Sequence, residues 1–366
     1  MGTSTLTYDT GHLNLAGIER LVRQLADLHN QGKEIILVSS GAVGAGMGRM
    51  GLLKRPRNLP DKQALAALGQ GILMQFYMKI FSEYGKTAAQ VLLSRGDFDE
   101  RNRYLNSRHA LQAVLAYGMI PVINENDVVA VEQLRFGDND TLSAMVASLV
   151  DADLLIILSD ISGLYTADPR VNPSAALMTE VKEITPEIEE LAGGAGSKNG
   201  TGGMITKIMA AKIAVNSGIG MVIADGSMEQ VLNKVISGEE IGTYFLPKEY
   251  KLHSRERWLA FGQTRHGRLI IDSGAVKALL SRGTSLLPSG LIEVKGDFEA
   301  GDAVEIFDEG GKEIARGLVN YSYQELQKIK GCQCSEIFSV LGHKDYDEVI
   351  HRDNMVLLEE GKVNGK

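Results

Sequence analysis

The first two thirds of the chain alternate short apolar runs with longer amphipathic segments, from Asn14 to about Leu246. Short apolar runs are typical of buried strands, and apolar residues at helical spacing are typical of amphipathic helices. Strands are predicted at 34–39, 87–93, 119–124, 154–159, 221–224 and 243–246. Helices are predicted at 15–31, 62–83, 103–117, 141–149, 206–217 and 228–236, with Asn14 and Asp61 as caps. This alternation predicts a doubly wound α/β domain with a largely parallel sheet.

After Pro247 the pattern changes to a charged stretch without periodicity, Lys248 to Arg257, and the linker between the domains is predicted over 248–264. Short strand-like runs follow at 258–261, 268–271, 291–294, 303–307 and 313–318, with a helix at 273–281. We therefore predict a large domain over 1–247 and a small mainly-β domain over 265–342. The segment 343–366 is predicted to be a polar, partly loose tail, in which His351 to Asn354 can dock back.

Composition narrows the class of protein. At 366 residues the chain is long enough for two domains that each bury a core. The formal charge of −8 argues against a protein whose main task is to neutralise nucleic-acid phosphates. Cys332 and Cys334 are too few for a disulfide framework or a zinc site. Because no basic-then-apolar leader and no membrane-length apolar run is found, we expect a soluble, cytoplasmic protein without a membrane partner.

A dense group of carboxylates and carboxamides follows the predicted strand at 119–124. Asn124-Glu125-Asn126-Asp127 comes first, and Gly137-Asp138-Asn139-Asp140 comes just before the predicted helix at 141–149. Open α/β sheets bind their ligands at the carboxyl edge of the strands. The group therefore predicts a ligand site, and its first chemical interpretations are a metal cage or a pair of acid and base carboxylates.

Two glycine-rich segments are candidates for binding phosphate. One runs from Ser39 to Gly46 after a predicted strand, and the other runs from Gly200 to Lys207 at the start of a predicted helix. Glycine lets backbone N–H groups approach an anion, and the positive end of a helix adds to the attraction. A tight turn without a ligand stays open for the first segment, and a flexible loop before a capped helix stays open for the second.

A third polar segment begins with Ser159-Asp160 at the end of the predicted strand 154–159 and continues to Arg170. Its hydroxyl, carboxylate and ring groups suit a ribose and a base. An ordinary turn has the same composition, so this segment on its own decides nothing.

In order and spacing, these segments resemble the glutamate 5-kinases of the amino-acid kinase family. The resemblance rests on Val38 to Ala42, Ile123 to Asp127, Gly137 to Asp140, Asp160 with Gly163 to Arg170, and Gly200 to Lys207. The second domain is similar to a PUA module in Gly283 to Pro288 and Gly296 to Asp302. The resemblance implies an amino-acid kinase-like three-layer sandwich followed by a small PUA-like domain.

The resemblance also implies a reaction: ATP-dependent phosphorylation of the side-chain carboxylate of L-glutamate, the first step of proline biosynthesis, with Mg²⁺ carried by the nucleotide. A carboxylate is already ionised at neutral pH, so the reaction needs alignment and positive charge and no general base. By the family pattern, Ser40, Asp127 and Asn139 bind glutamate. Lys207 stabilises the transferring group, Asp140 orients the lysine, and Asp138 helps to hold Mg²⁺. The matching ATP-binding positions are Ser159, Asp160, Thr201, Gly202, Gly203, Met204, Ile205, Thr206 and Lys207.

One part of the family pattern is not found in the sequence. Family members begin with an apolar strand ending in a lysine two residues before the counterpart of Gly2-Thr3-Ser4, and Met1 lies just after that lysine's position. The first strand and one of two phosphate-contacting lysines are therefore expected to be missing, which would weaken stabilisation of the transition state. We hypothesise a misplaced start codon or a truncation, and an upstream in-frame reading tests this. The alternative is an impaired catalyst.

Two rival functions stay open. Another amino-acid kinase, acting on aspartate, acetylglutamate or carbamate, would share the phosphate chemistry. A non-catalytic chain could act through its PUA-like domain as an RNA-binding or regulatory module, although nine Lys/Arg against eleven Asp/Glu over 265–342 make nucleic acid an unfavoured partner.

The resemblance further implies feedback inhibition by proline at the glutamate site. A homo-oligomer, a dimer or a tetramer, is expected. The predicted helices 62–83 and 103–117 could supply its interface, but a face turned to the core explains their apolar spacing equally well.

Overall fold

The computed structural model describes residues 6, 8, 12–129, 139–169, 171–193, 202–248 and 265–358. The chain divides into two compact units, Met1–Leu252 and His253–Lys366. Each has its own hydrophobic core, and the candidate site chemistry lies in the first unit.

The first unit contains two sheets within the described residues. A three-stranded parallel sheet has the order β1-β3-β2, formed by β1 (Leu37–Val38), β2 (Ala88–Leu93) and β3 (Ile120–Glu125). A four-stranded sheet has the order β4-β6-β7-β5, formed by β4 (Leu154–Ser159), β5 (Glu180–Val181), β6 (Gly220–Asp225) and β7 (Thr243–Phe245). Only the pair β6 and β7 is antiparallel among the described pairings of these sheets. The expectation of largely parallel strands is confirmed, but the described strands form two sheets and not one.

Nine helices of the described residues accompany these strands. In chain order they are α1 (Leu15–Asn30), α2 (Ala42–Met50), α3 (Leu59–Glu83), α4 (Gly96–Asp99), α5 (Arg101–Ala116), α6 (Asn139–Val150), α7 (Pro186–Gly193), α8 (Gly202–Asn216) and α9 (Val231–Ile236). Asn14 caps α1 by accepting the N–H of Gly17, as predicted.

Alternate residues of β4 and β6 enter two different cores. Leu158, Val222 and Ala224 pack with residues of α1, α3 and α9, whereas Leu155, Ile157, Met221 and Ile223 pack with residues of α6, α7 and α8. Since successive side chains of a strand point to opposite faces, helices cover both faces of this sheet. The predicted three-layer α/β sandwich is confirmed.

Several predicted boundaries are wrong for identifiable reasons. The strand predicted at 34–39 is reduced to Leu37–Val38, which pairs with β3. Continuing this register would place Ile36 opposite Pro121, and pairing stops there because proline has no N–H to donate. Helix α3 starts earlier than predicted because Asn58, and not Asp61, is its cap. The Asn58 side chain accepts the N–H of Asp61, and Pro60 occupies the first turn.

Helix α9 is shorter than the predicted 228–236, because Gln230 has a φ of +56° and ends the turn before it. The short elements α4, α7 and β5 were not predicted, since two to eight residues carry too little periodicity to be recognised.

Two glycines let α2 and α3 pack closely. A Cβ at Gly46 would overlap the carbonyl oxygen of Leu65, and a Cβ at Gly69 would overlap that of Ala42. By length and hydropathy α3 could cross a membrane, the one described helix that could. Its residues Leu73, Tyr77 and Phe81 are buried in the core with α1, so this face of the helix packs within the first unit.

The second unit is built around a five-stranded sheet of order β12-β11-β10-β8-β9. Its strands are β8 (Arg265–Ile271), β9 (Leu291–Gly296), β10 (Ala303–Phe307), β11 (Glu313–Leu318) and β12 (Met355–Leu357). Its helices are α10 (Ser273–Arg282), α11 (Tyr323–Ile329) and α12 (Ile337–Leu341), and two 3₁₀ turns lie at Pro288–Gly290 and Arg352–Asn354. The expected small mainly-β domain is confirmed, while the strand predicted at 258–261 lies outside the described residues.

The expected docking of His351 to Asn354 is confirmed, since the Arg352 N–H donates to Ser285 Oγ at 3.0 Å, but more of the tail packs than was expected. Val349 and Ile350 are fully buried, and β12 adds an antiparallel strand to β11. The apolar residues Val349, Ile350 and Val356 supply the reason, because they are buried on folding of this unit.

Candidate active site

The polar residues predicted as a site gather where β1 and β3 end and where α6 and α8 begin. Ser39 and Ser40 follow β1, Asn124 and Glu125 end β3, and Asn139 and Asp140 open α6. Parallel strands bring their carboxyl ends to one edge, and the N-terminal turns of helices present N–H groups there. The structure thus assembles groups that lie a hundred residues apart in the chain.

Asn139 is the centre of the first group of contacts. Its Nδ2 lies 2.9 Å from the backbone oxygen of Ser39, 2.9 Å from Ser40 Oγ and 2.9 Å from Asn124 Oδ1. The amide nitrogen is therefore used by the protein itself. The Asn139 amide oxygen and the Ser40 hydroxyl proton are the polar groups that these contacts leave for a ligand.

A buried tyrosine supports the neighbouring serine. The hydroxyl groups of Ser39 and Tyr77 are 2.8 Å apart, and both side chains are buried. Burial raises the pKa of Tyr77 from 10.0 to about 12, against the smaller opposing effect of the Ser39 hydrogen bond. Tyr77 is therefore a neutral hydrogen-bonding group at physiological pH and fixes Ser39 without adding charge.

Lys207 and Asp140 form the second group of contacts. Lys207 Nζ lies 2.9 Å from Asp140 Oδ2, and the two side chains are only 10% and 11% exposed. Thr206 Oγ1 donates to the same carboxylate oxygen at 3.0 Å, and Lys207 Nζ also lies 3.3 Å from the backbone oxygen of Gly203. A buried ammonium needs such partners, because desolvation without them is costly. The pair holds one positive charge in place beside the first turn of α8.

Helix α6 connects the two groups. Asn139 and Asp140 are consecutive residues, so one helical turn joins the Ser40 side of the site to the Lys207 side. One residue predicted to bind substrate, Asn139, and one predicted to be catalytic, Asp140, therefore lie side by side on the same helical turn.

Ser159 and Asp160 end β4 and contact each other, since Ser159 Oγ donates to Asp160 Oδ1 at 3.1 Å. The Ser159 backbone oxygen accepts the N–H of Gly226 at 2.8 Å, just after β6. Among the described residues, no hydrogen bond or ion pair joins Ser159 or Asp160 to Asn139 or Lys207. They form a separate part of the same unit, with Ser159 buried and Asp160 exposed.

The glycines between Ser39 and Gly46 have structural roles in the fold. Gly41 caps α2 with a φ of +96°, a conformation that favours glycine. Gly46 lies inside α2 against α3, as described above. The tight turn that was left open for this segment is therefore present, together with the start of a helix.

Some predicted residues lie outside the described part of the chain. Asp138 and Thr201 belong to this group. Gly202 and Gly203, with Met204, Ile205 and Thr206, form the first turn and a half of α8. Asp127 lies in the turn after β3 and is partly buried. Within the described residues, which leave out Glu132 and Asp138 of the acidic cluster, no three His, Cys, Asp or Glu side chains are arranged to hold a metal ion.

The sequence interpretation missed two residues of α3 that contact the site. Gln70 Oε1 accepts a hydrogen bond from Asn124 Nδ2 at 2.8 Å, and Tyr77 bonds Ser39 as described. The sequence did contain a sign of Gln70: it is a polar residue on the apolar stripe of α3, four residues after Ala66 and seven before Tyr77.

Comparison with known proteins identifies a family for each unit. Residues 1–225 match the amino acid kinase family, and residues 267–341 match the PUA domain. Among solved structures, the isopentenyl phosphate kinase of T. acidophilum in its product complex covers 67% of this chain and 97% of its own, with a TM-score of 0.47 and 20% identity.

Curated relatives are far more similar. Glutamate 5-kinase from Caldanaerobacter subterraneus subsp. tengcongensis is 57% identical over 365 residues, which is 100% of this chain and 98% of the relative. Glutamate 5-kinase from Moorella thermoacetica is 56% identical over 98% of this chain and 95% of its own length. Glutamate 5-kinase from Thermoanaerobacter sp. is 54% identical over 100% and 98%. With its amino acid kinase unit and its PUA domain, the chain belongs to the glutamate 5-kinase family.

Proposed function

We propose that this protein transfers the γ-phosphoryl group of ATP to the side-chain carboxylate of L-glutamate. The product is L-glutamate 5-phosphate, an acyl phosphate, and the reaction is the first step of proline biosynthesis. The observation that supports this most directly is the adjacency of Asn139 and Asp140 in the first turn of α6, where Asn139 contacts Ser40 and Asp140 contacts the buried Lys207.

The phosphoryl side of the reaction needs positive charge at fixed positions. Lys207 supplies such a charge, and Asp140 and the Gly203 carbonyl hold its ammonium group. Because the ammonium is already oriented and mostly shielded from water, it can stabilise charge on the transferring group without reorganising during the reaction. We assign Lys207 as the catalytic cation and Asp140, with Thr206 as its second partner, as the residue that orients it.

The amino-acid side of the reaction needs complementary groups for an ammonium and a carboxylate. Ser40 Oγ accepts a hydrogen bond from Asn139, so its own proton is available to donate to the substrate α-carboxylate. The amide oxygen of Asn139 and the carboxylate of Asp127 are acceptors, which suits the substrate ammonium.

The nucleotide is assigned to the segment 201–207 and to Ser159 with Asp160. Gly202 and Gly203 open α8, whose first N–H groups suit phosphate oxygens, while a hydroxyl and a carboxylate suit the nucleoside. Mg²⁺ would be carried by the nucleotide phosphates, with Asp138 as its candidate protein ligand. We also infer a cytoplasmic homo-oligomer that proline inhibits at the glutamate site, on the strength of the family resemblance.

A coupled assay tests the proposal. The full chain is incubated with ATP, Mg²⁺ and L-glutamate, and both ADP release and trapping of the acyl phosphate as a hydroxamate are measured. We expect both signals to depend on glutamate. Turnover with aspartate, acetylglutamate or carbamate in its place would contradict the substrate assignment, and absence of turnover with any acceptor would contradict the activity.

A further inference from the structure

A line of three side chains runs from the middle of α3 into the proposed glutamate pocket. Gln70 Oε1 accepts from Asn124 Nδ2 at 2.8 Å, Asn124 Oδ1 accepts from Asn139 Nδ2 at 2.9 Å, and Asn139 Nδ2 also donates to Ser40 Oγ. Each amide in the line has one donor end and one acceptor end. The direction of one amide therefore restricts the direction of the next.

Backbone groups determine this direction at two places. The N–H of Glu125 can only donate and lies 2.9 Å from Asn124 Oδ1, so Asn124 must turn its oxygen to Glu125 and its nitrogen to Gln70. The carbonyl of Ser39 can only accept and lies 2.9 Å from Asn139 Nδ2, so Asn139 must turn its nitrogen to the serines. An acceptor is consequently required at position 70, because the Asn124 nitrogen faces it.

The position of Gln70 is itself well determined. Its neighbour Gly69 lies directly against the Ala42 carbonyl, and the same helix presents Tyr77 to Ser39. Asn124 is only 4% exposed, so its amide nitrogen depends on the protein for a hydrogen-bond partner. Helix α3 thus supports both serines of the pocket, one through Tyr77 and the other through Gln70, Asn124 and Asn139.

We infer that Gln70 is a positioning residue for glutamate binding, acting through Asn124 on Asn139 and Ser40. This rests on the proposed function, because Asn139 and Ser40 are assigned there to the substrate. Gln70 presents an acceptor to Asn124, which keeps the Asn139 amide oxygen and the Ser40 proton directed to the pocket. Loss of that acceptor leaves a buried donor unpaired and lets the Asn124 and Asn139 amides move.

The test compares three variants of the full chain. Gln70→Leu removes the acceptor, Gln70→Glu keeps an acceptor oxygen at the same place, and Gln75→Leu makes the first change at an exposed glutamine of the same helix. We expect Gln70→Leu to raise KM for glutamate about fivefold to tenfold, the effect of roughly one lost hydrogen bond. KM for ATP and kcat should stay within about twofold of the wild-type values, because the Lys207 side of the site is not touched.

Gln70→Glu and Gln75→Leu should both retain the wild-type KM for glutamate within about twofold. In each variant the line of hydrogen bonds from position 70 through Asn124 and Asn139, called the relay below, keeps its acceptor. The same ranking should appear without turnover, as the upward shift of the unfolding temperature that added glutamate produces. A wild-type KM in folded Gln70→Leu would overturn the inference, and so would a Gln70→Glu variant as impaired as Gln70→Leu. If Gln70→Leu does not fold, Gln70→Met provides the same comparison.

The outcome for the relay is separate from the outcome for the activity. Wild-type protein without glutamate-dependent turnover would contradict the proposed function. Wild-type protein that turns over glutamate, together with equal KM values in all variants, would contradict the relay alone.

Discussion

At the scale of single residues, one atom of each polar side chain in the site is already hydrogen-bonded to another part of the protein. Asn139 uses its nitrogen for Ser39, Ser40 and Asn124, and Asp140 uses one carboxylate oxygen for both Lys207 and Thr206. The remaining atoms are those that a ligand meets. In the function that we propose, binding of the amino acid and stabilisation of the phosphoryl group are assigned to neighbouring residues with different partners.

Replacement of Lys207 tests the catalytic assignment. Lys207→Met should lower kcat with ATP and glutamate by about 100-fold or more, because a fixed cation no longer stabilises the transferring group. Lys212→Met is the matched control on α8, since Lys212 pairs with Glu189 and is 40% exposed. It should stay near the wild-type rate. A folded Lys207→Met enzyme with wild-type kcat would remove Lys207 from the mechanism.

Tyr77 predicts a difference in stability at high pH. Its folded pKa of about 12 lies above the unfolded value of 10.0, so its contribution is complete below pH 10 and is lost as the pH rises towards 12. Relative to Tyr77→Phe, the wild type should therefore lose about 1 kcal/mol of unfolding free energy between pH 9 and pH 11. Urea unfolding at these pH values measures the difference. A constant difference would show that Tyr77 does not ionise with the raised pKa.

At the scale of elements, α3 determines the arrangement of the site. It packs on α2 through Gly69 and Gly46, it carries Gln70 and Tyr77, and its apolar face enters the core shared with α1 and α9. A helix packed along its length is a rigid support, which is what accurate placement of a pocket requires.

Substitution of two glycines in α3 distinguishes the effect of close packing from the effect of intrinsic helix preference. At Gly69 a Cβ would overlap the Ala42 carbonyl, whereas a Cβ added at Gly71 would have no described atom within 4 Å. Gly69→Ala should therefore lower the unfolding free energy by about 1–3 kcal/mol through overpacking and should raise KM for glutamate. Gly71→Ala should raise stability by up to about 1 kcal/mol, because alanine is the better helix former. Thermal unfolding measures both, and equal effects at the two positions would contradict this packing.

At the scale of the whole molecule, the chain has two units with separate cores and is acidic as a whole. The net charge is −8 for the chain, and 265–342 contains nine Lys/Arg against eleven Asp/Glu. The second unit includes the PUA match, but its balance of charge provides no general attraction for phosphates.

The charge balance predicts that the full chain does not retain RNA. A filter-binding titration with mixed-sequence single-stranded RNA should show no retention at micromolar protein in physiological salt, and little increase when the salt is lowered. The control is a known basic RNA-binding domain on the same filters. Tight, salt-sensitive retention would restore the RNA-binding alternative.

Much of this architecture could be predicted from local patterns. Strand β4 at 154–159 and strands β10 and β11 agree with their predicted bounds, because each is a short apolar or alternating run between turn residues. The prediction was wrong at β1, where the register opposite Pro121 limits pairing, and too little packing was predicted for the tail, where Val349 and Ile350 complete a core. These outcomes depend on partners distant in the chain, which a local pattern does not contain.

The sequence by itself determined the fold class, the family and the identity of the polar residues at the strand ends, because periodicity and motif order are local properties of the chain. Only the tertiary structure decided which atoms of those residues remain for a ligand. Gln70 is 54 residues from Asn124 along the chain, yet their amides meet at 2.8 Å, and Asn139 meets Ser40 across 99 residues. Hydrogen-bond direction is a property of three-dimensional neighbours, so the polarity of the pocket exists only once α3, β3 and α6 have packed together.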